Sequence, residues 1–412
     1  MSEIIIGSSS QGRPISGIRI GNGPRKFALI GDTHGLPEAN TYQLVQQLLA
    51  HFRNNPGLVP ADVRLYIIPT VNPDGLALGT RFNARTVDLN RNMNTNMDAC
   101  PENDWSTTVF GARGIVSDTG GAYPDSEPES RVVRDFLLDA SGVIFYHSNA
   151  GNVFPAFCEH APSILMAQIY AEAGGYAYNR YWGNYPITGG MHDWAASLGI
   201  SAIIPELISP IEPEFEQNLP AVLAVLARAN ELLPLPEPRI EQGIIVDPII
   251  WRYWRMHGGV ERFGPPLAPP EVRGALIRQS FTNAVLELDP TQADTPFLVR
   301  PILVGQYIPL PSDATPVLPP SDARRYSETG KALYGAFATY WDRYDGMALL
   351  GFPLSDEFVA QASDGTRRSM QIFERGVLAY DPEQNQVRLE PTGWATFIRQ
   401  ATSATTIAHQ IR

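Results

Sequence analysis

The chain has 412 residues, of which 44% are hydrophobic and 18% charged, with a formal net charge of -12. That balance excludes a nucleic-acid-binding protein in the ordinary sense, and no run approaches the ~18 apolar residues of a membrane span. The length exceeds one ordinary hydrophobic core, so two or three domains are expected.

The first residues, Met1 to Ile6, lack the charged and long apolar regions of a secretory leader. The chain as written reads as cytoplasmic, or as exported with a leader removed. Residues 1–233 then alternate strand-like and helix-like segments, which predicts an α/β fold with a largely parallel sheet. Four apolar runs in this half each end in polar residues. Phe27 to Ile30 leads into Asp32, His34 and Glu38, and Leu65 to Ile68 into Asn72-Pro73-Asp74-Gly75. Val143 to Phe145 leads into His147, and Ala202 to Ile204 into Glu206. Ala39–Asn54 carries an apolar stripe at helical spacing. Ser126-Glu127-Pro128-Glu129 has the pattern of a capping box, and Ala221–Leu233 reads as a closing helix. Asp104, Asp118 and Asp125 fall in a long polar loop and are expected to be solvated.

A Pro-rich linker follows at 234–239. Beyond it lies an internal repeat. Tyr253, Trp254, Gly264, Pro266 and Leu267 recur 87 positions later as Tyr340, Trp341, Gly351, Pro353 and Leu354. The copies span 240–307 and 327–395, with a second Pro-rich linker at 308–326 and a tail at 396–412. Their recurring positions are aromatic, Gly and Pro, which suit packing or binding rather than catalysis. Leu350-Gly351-Phe352-Pro353 resembles the LGFP-type repeats found beside hydrolase domains in bacterial surface proteins. That resemblance implies attachment to cell-wall material; the alternative is a stabilising appendage around Trp254 and Trp341.

Ligands bind outside the carboxyl ends of strands in open α/β sheets. Two histidines and two glutamates delivered there suggest one metal centre plus a base. A zinc hydrolase needs three protein ligands, often His, His and a carboxylate, with one open position. It also needs a base for the water proton and a cation where negative charge develops.

The ordered set of motifs is where a family resemblance enters. His34 and Glu38, Asn72–Gly75, Thr80-Arg81-Phe82-Asn83, Val87-Asp88-Leu89-Asn90-Arg91-Asn92, Tyr146-His147-Ser148, Tyr185 before Gly189–Trp194, and Pro205-Glu206-Leu207 appear in sequence. The first 233 or so residues therefore resemble the zinc carboxypeptidase family. The resemblance implies a mixed, mostly parallel central sheet with helices on both faces. It also implies one zinc ion per chain on His34, Glu38 and His147, and a peptide substrate with a free C-terminal carboxylate. By the same resemblance Glu206 is general base and acid, Arg81 stabilises the oxyanion, Asn90 and Arg91 clamp the terminal carboxylate, and Tyr185 closes over the substrate.

The sequence also departs from the family's pattern. The family spaces its first ligands His-x-x-Glu, whereas His34 and Glu38 are separated by one more residue, with Asp32 as the alternative carboxylate. His192 occupies the position that lines the family's side-chain pocket, where it is either a polar specificity residue or a structural histidine. Cys100 and Cys158 are either a disulfide bordering the site or two thiols. Asp74 and Asp88 read as turn or supporting residues, and His51, His160, His257 and His409 as surface or packing residues. An amidase acting on γ-D-glutamyl cell-wall peptides, and a wall-binding protein with an impaired site, are the rival functions.

Overall fold

The computed structural model describes residues 1–393. The expected tail, the end of the second repeat and His409 lie outside the described residues. The chain divides into two compact units, with the boundary between Pro236 and Glu237.

The first unit is built on a nine-stranded sheet. Its strands are β1 (Ser2–Ser8), β2 (Pro14–Ile20), β3 (Arg25–Ile30), β4 (Val63–Ile68), β5 (Ala140–Phe145), β6 (His147–Ser148), β7 (Asn152–Pro155), β8 (Ala177–Tyr178) and β9 (Ser201–Leu207). Their order is β1-β2-β4-β3-β5-β9-β7-β8, with β6 paired to β9. β4, β3, β5 and β9 run parallel to one another, and the hairpin β1–β2 and the strand β7 join them antiparallel. The sheet is thus mixed, with a parallel centre. Every residue from Lys26 to Ile30 is buried, as expected for a strand covered on both faces.

Alternation along the strands assigns the two faces. Phe27, Leu29, Leu65, Ile67, Ile144 and Ile203 form one core with helices α1 (Ala39–Asn54), α4 (Ala161–Gly174) and α6 (Phe215–Ala227). On the other face the ring of Tyr66 meets that of Phe136 edge-on at 5.2 Å. Phe136 belongs to α3 (Pro128–Phe136), and the fully buried Trp194 to α5 (Met191–Ser197); a short α2 (Pro73–Leu78) precedes both. Lys26 is the exception in this apolar interior. Its ammonium is buried, and it is satisfied by Asp139 at 2.8 Å and the Phe136 carbonyl at 2.6 Å.

Three local expectations are corrected. α3 is capped from Glu127 without a side-chain cap, because the Ser126 hydroxyl instead donates to Glu127 Oε1 at 2.9 Å and accepts from Asn92. α6 begins at Phe215, before Pro220, which lies inside the helix. Pro220 and Glu216, whose carbonyl loses its donor, are both exposed, so solvent can take that carbonyl. Asp125 is not solvated: it is buried, accepts from the Asn94 amide at 3.0 Å and lies 3.5 Å from Arg134.

The second unit contains two similar halves. The first has helices α7 (Pro248–Met256) and α8 (Gly259–Phe263) and the antiparallel strands Glu271–Arg273, Leu276–Ser280, Val285–Leu288 and Val299–Pro301. The second has α9 (Gly335–Arg343), α10 (Gly346–Leu349) and a five-stranded sheet from Thr315–Pro316 and Phe358–Gln361 to Gln386–Leu389. Their hydrogen bonds recur at the sequence offset. The Trp254 indole donates to the Gly264 carbonyl at 3.0 Å, and that of Trp341 to Gly351 at 3.1 Å. Gln279 donates to the carbonyls of Ile245 and Ala268, and Gln371 to those of Ala332 and Ser355. Each half also closes on the other: the Gly305 amide donates to Glu374, and the Thr392 hydroxyl to Asn283. Trp254 is buried and Trp341 half-buried.

Candidate active site

The parallel strands β3, β5 and β9 all end at one edge of the sheet, and that edge carries the polar residues. After β3 the chain turns through Asp32 and Gly35, both with positive φ (51° and 54°). A single 3-10 turn, Leu36–Glu38, then leads into α1. Gly35 has the freedom for that conformation, and Pro37 suits the first turn of a helix. This turn takes up the additional residue between His34 and Glu38 and brings the Glu38 carboxylate back to the imidazole. His147 lies just past β5, on β6, where it pairs in parallel register with Glu206 of β9. The Ser148–Asn149 peptide beside it is cis.

The result is a tight cluster. His34 Nδ1 is 2.6 Å from Glu38 Oε1, and His147 Nδ1 is 3.0 Å from Glu38 Oε2 and 3.1 Å from His34 Nδ1. All three side chains are buried. Two imidazole nitrogens facing each other across a carboxylate cannot all be satisfied by protons, since two N–H groups would then oppose each other at 3.1 Å. Three lone pairs converging on one point do suit a divalent cation of the zinc type, which takes His nitrogen and carboxylate oxygen. These residues therefore fit a metal. Asp32, the alternative carboxylate, is turned away and accepts from the Thr70 hydroxyl at 2.6 Å.

Around the cluster the geometry is ordered by Asp88. Its Oδ1 lies 3.0 Å from His34 Nε2 and accepts from the Asn90 amide at 3.0 Å. Its Oδ2 accepts from Arg81 Nε at 3.1 Å, while Arg81 Nη1 donates to Glu38 at 3.1 Å. One carboxylate thus orients a histidine, a guanidinium and the backbone of the segment that follows, as supporting groups around metal sites do. The sequence marks Asp88 as a turn or supporting residue, but not which groups it supports, because its partners lie 54 and 7 residues away.

The remaining candidates line the same cleft, of about 930 Å³, with the cluster. Glu206 is one wall, and burial together with the neighbouring Glu38 carboxylate pushes its carboxyl well above the ordinary range. Asn90 commits its carbonyl oxygen to the Met191 amide at 2.9 Å, leaving its NH₂. Arg91 is buried, donates Nη1 to the Asn90 carbonyl at 2.8 Å and leaves Nε without a partner. Tyr185 is half-buried on the cleft wall, edge-on to Trp182 at 5.3 Å. His192, at the start of α5, is buried with its Nδ1 unpartnered and its Nε2 3.5 Å from Asp193. Burial lowers its basicity, so it faces the cleft as a neutral imidazole. Cys100 and Cys158 form a disulfide that ties together two loops of the rim. Their neighbours Glu102 and Phe157 line the cleft. The aromatic wall of Phe154, Trp182 and Phe157 carries no motif that sequence reasoning could have used.

The zinc carboxypeptidase family model matches residues 1–155. The match takes in His34, Glu38, Arg81, Asn90, Arg91 and His147 and stops before Tyr185, His192 and Glu206. Murein peptide amidase A of Escherichia coli strain K12 is 29% identical over 160 residues, covering 36% of this chain and 60% of that protein. Carboxypeptidase SOL1 of Arabidopsis thaliana is 26% identical over 223 residues, covering 46% and 42% respectively. The chain thus spans less than two thirds of the length of these curated relatives. Among solved structures, bovine thrombin-activatable fibrinolysis inhibitor covers 55% of this chain and 88% of its own, at 23% identity and a TM-score of 0.44. Murein-tripeptide amidase MpaA of Escherichia coli O157 covers 57% and 94%, at 22% identity and a TM-score of 0.43.

Proposed function

We propose that the first unit is a zinc metallocarboxypeptidase that removes the C-terminal residue of a peptide by hydrolysis. The family match over residues 1–155 supports hydrolysis of the metallocarboxypeptidase type. The observation that carries the finer reading is the meeting of His34, Glu38 and His147 with Glu206 and Arg91 in one cleft.

His34, Glu38 and His147 would hold the zinc ion, which when bound lowers the pKa of water and polarises a carbonyl. The chain's own groups do the rest. Glu206 takes a proton from the attacking water and delivers it to the leaving amine as the C–N bond breaks. Arg81, oriented by Asp88, offsets the negative charge that develops on the carbonyl oxygen. Arg91 and the free amide of Asn90 bind the terminal carboxylate, for which a planar guanidinium fork is suited. Tyr185 closes over the substrate from the aromatic wall. His192 forms part of the polar lining of the side-chain pocket.

The clamp gives the decisive experiment. Amidating the C terminus of a good substrate removes the charge that Arg91 binds, and kcat/KM is expected to fall at least about tenfold, the worth of a charge-assisted hydrogen bond. Equal cleavage of amidated and free-acid peptides would rule out a carboxypeptidase. The similarity to murein peptide amidase A favours one second reading, hydrolysis of γ-D-glutamyl bonds in cell-wall peptides by the same groups. Including such peptides in the panel separates the two.

The two repeats would form an independent module for attachment or stability, with Trp254 and Trp341 in structural roles. A chain ending near Pro238 is then expected to fold, bind zinc and cleave small peptides at close to the full rate. A zinc-free or insoluble truncation would show that the units depend on each other.

A further inference from the structure

Among the described residues four guanidiniums line the cleft, and two of them are already committed. Arg81 is held by Glu38 and Asp88. Arg180 braces the rim by donating to the carbonyls of Ala156 and Phe157, and it pairs with Glu159. Arg91 and Arg113 remain, and among the described residues neither has a carboxylate within ion-pair distance. Arg91 is buried and serves the terminal carboxylate in the reading above. Arg113 is exposed and has no role in it.

Arg113 sits at the tip of a small hairpin whose strands are Val109–Phe110 and Val116–Ser117. Its backbone is in the left-handed region (φ 59°, ψ 27°), which a side-chain-bearing residue adopts at a cost. The turn is closed by the Gly111 amide donating to the Ile115 carbonyl at 2.8 Å. The base of the hairpin is fastened to the clamp segment itself. The Asp88 amide donates to the Thr119 carbonyl at 2.8 Å, and Asn92 Nδ2 donates to the Gly120 carbonyl at 2.8 Å. One stretch of chain, Asp88 to Asn92, therefore carries the buried Arg91 and anchors the arm that presents Arg113. Glu102 is the exposed acid on the same cleft, and it lies beyond ion-pair distance of Arg113.

We propose that Arg113 is a specificity residue that binds a second carboxylate of the substrate, upstream of the scissile bond, so that the preferred substrates are acidic peptides. This rests on the peptidase reading above. An exposed guanidinium pairing with a carboxylate at a cleft rim contributes modestly and is weakened by salt.

The test uses the full chain and peptides identical except for one upstream residue, Glu, Gln or Lys, placed in turn at each position before the C-terminal one. The wild type is expected to favour the Glu peptide over the Gln peptide about fivefold in kcat/KM, through KM. That preference should fade at high ionic strength and vanish in Arg113→Ala, with the Gln peptide unaffected. Arg113→Glu should favour the Lys peptide, while Glu102→Gln should keep the acidic preference. Retention of the Glu preference in Arg113→Ala, an equal loss on every peptide, or a preference that tracks Glu102 would overturn the proposal. If the wild type cleaves none of the peptides, the peptidase reading fails. Calorimetric binding of the same peptides then decides Arg113 separately, by the presence or absence of an Arg113-dependent Glu-over-Gln difference in Kd.

Discussion

Glu206→Gln is expected to keep its metal and lose about 10²–10⁴-fold in kcat, the range a positioned general base contributes. The substitution is nearly isosteric, so the pairing of β9 with β6 beside His147 should persist. An amide, however, cannot take a proton from water. The environment of Glu206 suits the task. It is a cleft residue in a desolvated setting, with the Glu38 carboxylate as its electrostatic neighbour, and both effects raise its proton affinity. It also lines the cleft without belonging to the converging group of His34, Glu38 and His147. Metal content by elemental analysis, circular dichroism and single-substrate kinetics would be measured on the same preparation. A variant that retains zinc, fold and near-wild-type turnover would remove Glu206 from the mechanism.

How much of this arrangement was legible beforehand depends on the range of the interaction. The ends of the apolar runs at Ile30, Phe145 and Ile204 were readable because fully buried parallel strands are short apolar runs, and polar residues just beyond those runs stand out. His34, His147 and Glu206 follow directly from that pattern. Glu38 was harder, since the geometry of a loop decides whether a residue four positions on can turn back; Pro37 hinted at the turn without fixing it. Asp88 was readable as a turn or supporting residue, but its partner His34 was not, because that contact spans 54 residues. The same limit explains the local errors. Ser126 carries a capping pattern, but Asn92 and Glu127 take its hydroxyl. Asp125 lies in a polar stretch yet is buried against Arg134 from α3. The closing helix was expected from Ala221 but begins at Phe215, since the exposed Pro220 can be accommodated inside it. The antiparallel strands β1 and β2, with their mixed pattern of buried and exposed positions, carried a weaker signal than the parallel centre.

His147→Ala is expected to lose essentially all bound zinc, while Asp32→Ala retains it. The pair of variants tests which three groups form the centre. His147 supplies one of the two nitrogens, 3.1 Å from that of His34, and its removal leaves one imidazole and one carboxylate. Three protein donors are the usual minimum for a catalytic zinc site, and two leave the ion mostly to water. Asp32, by contrast, is bonded to Thr70 and lies outside the converging group. A second readout follows from linkage. An ion that binds only the folded chain stabilises it by RT ln(1 + [L]/Kd), about 2.7 kcal/mol at a free concentration of 100 Kd. Added zinc should therefore raise the unfolding temperature of the wild type and of Asp32→Ala and leave His147→Ala unmoved. Full zinc retention in His147→Ala, or loss confined to Asp32→Ala, would place the metal on a different set of residues, and the roles given to Arg81, Arg91 and Glu206 would need to be rebuilt around that position.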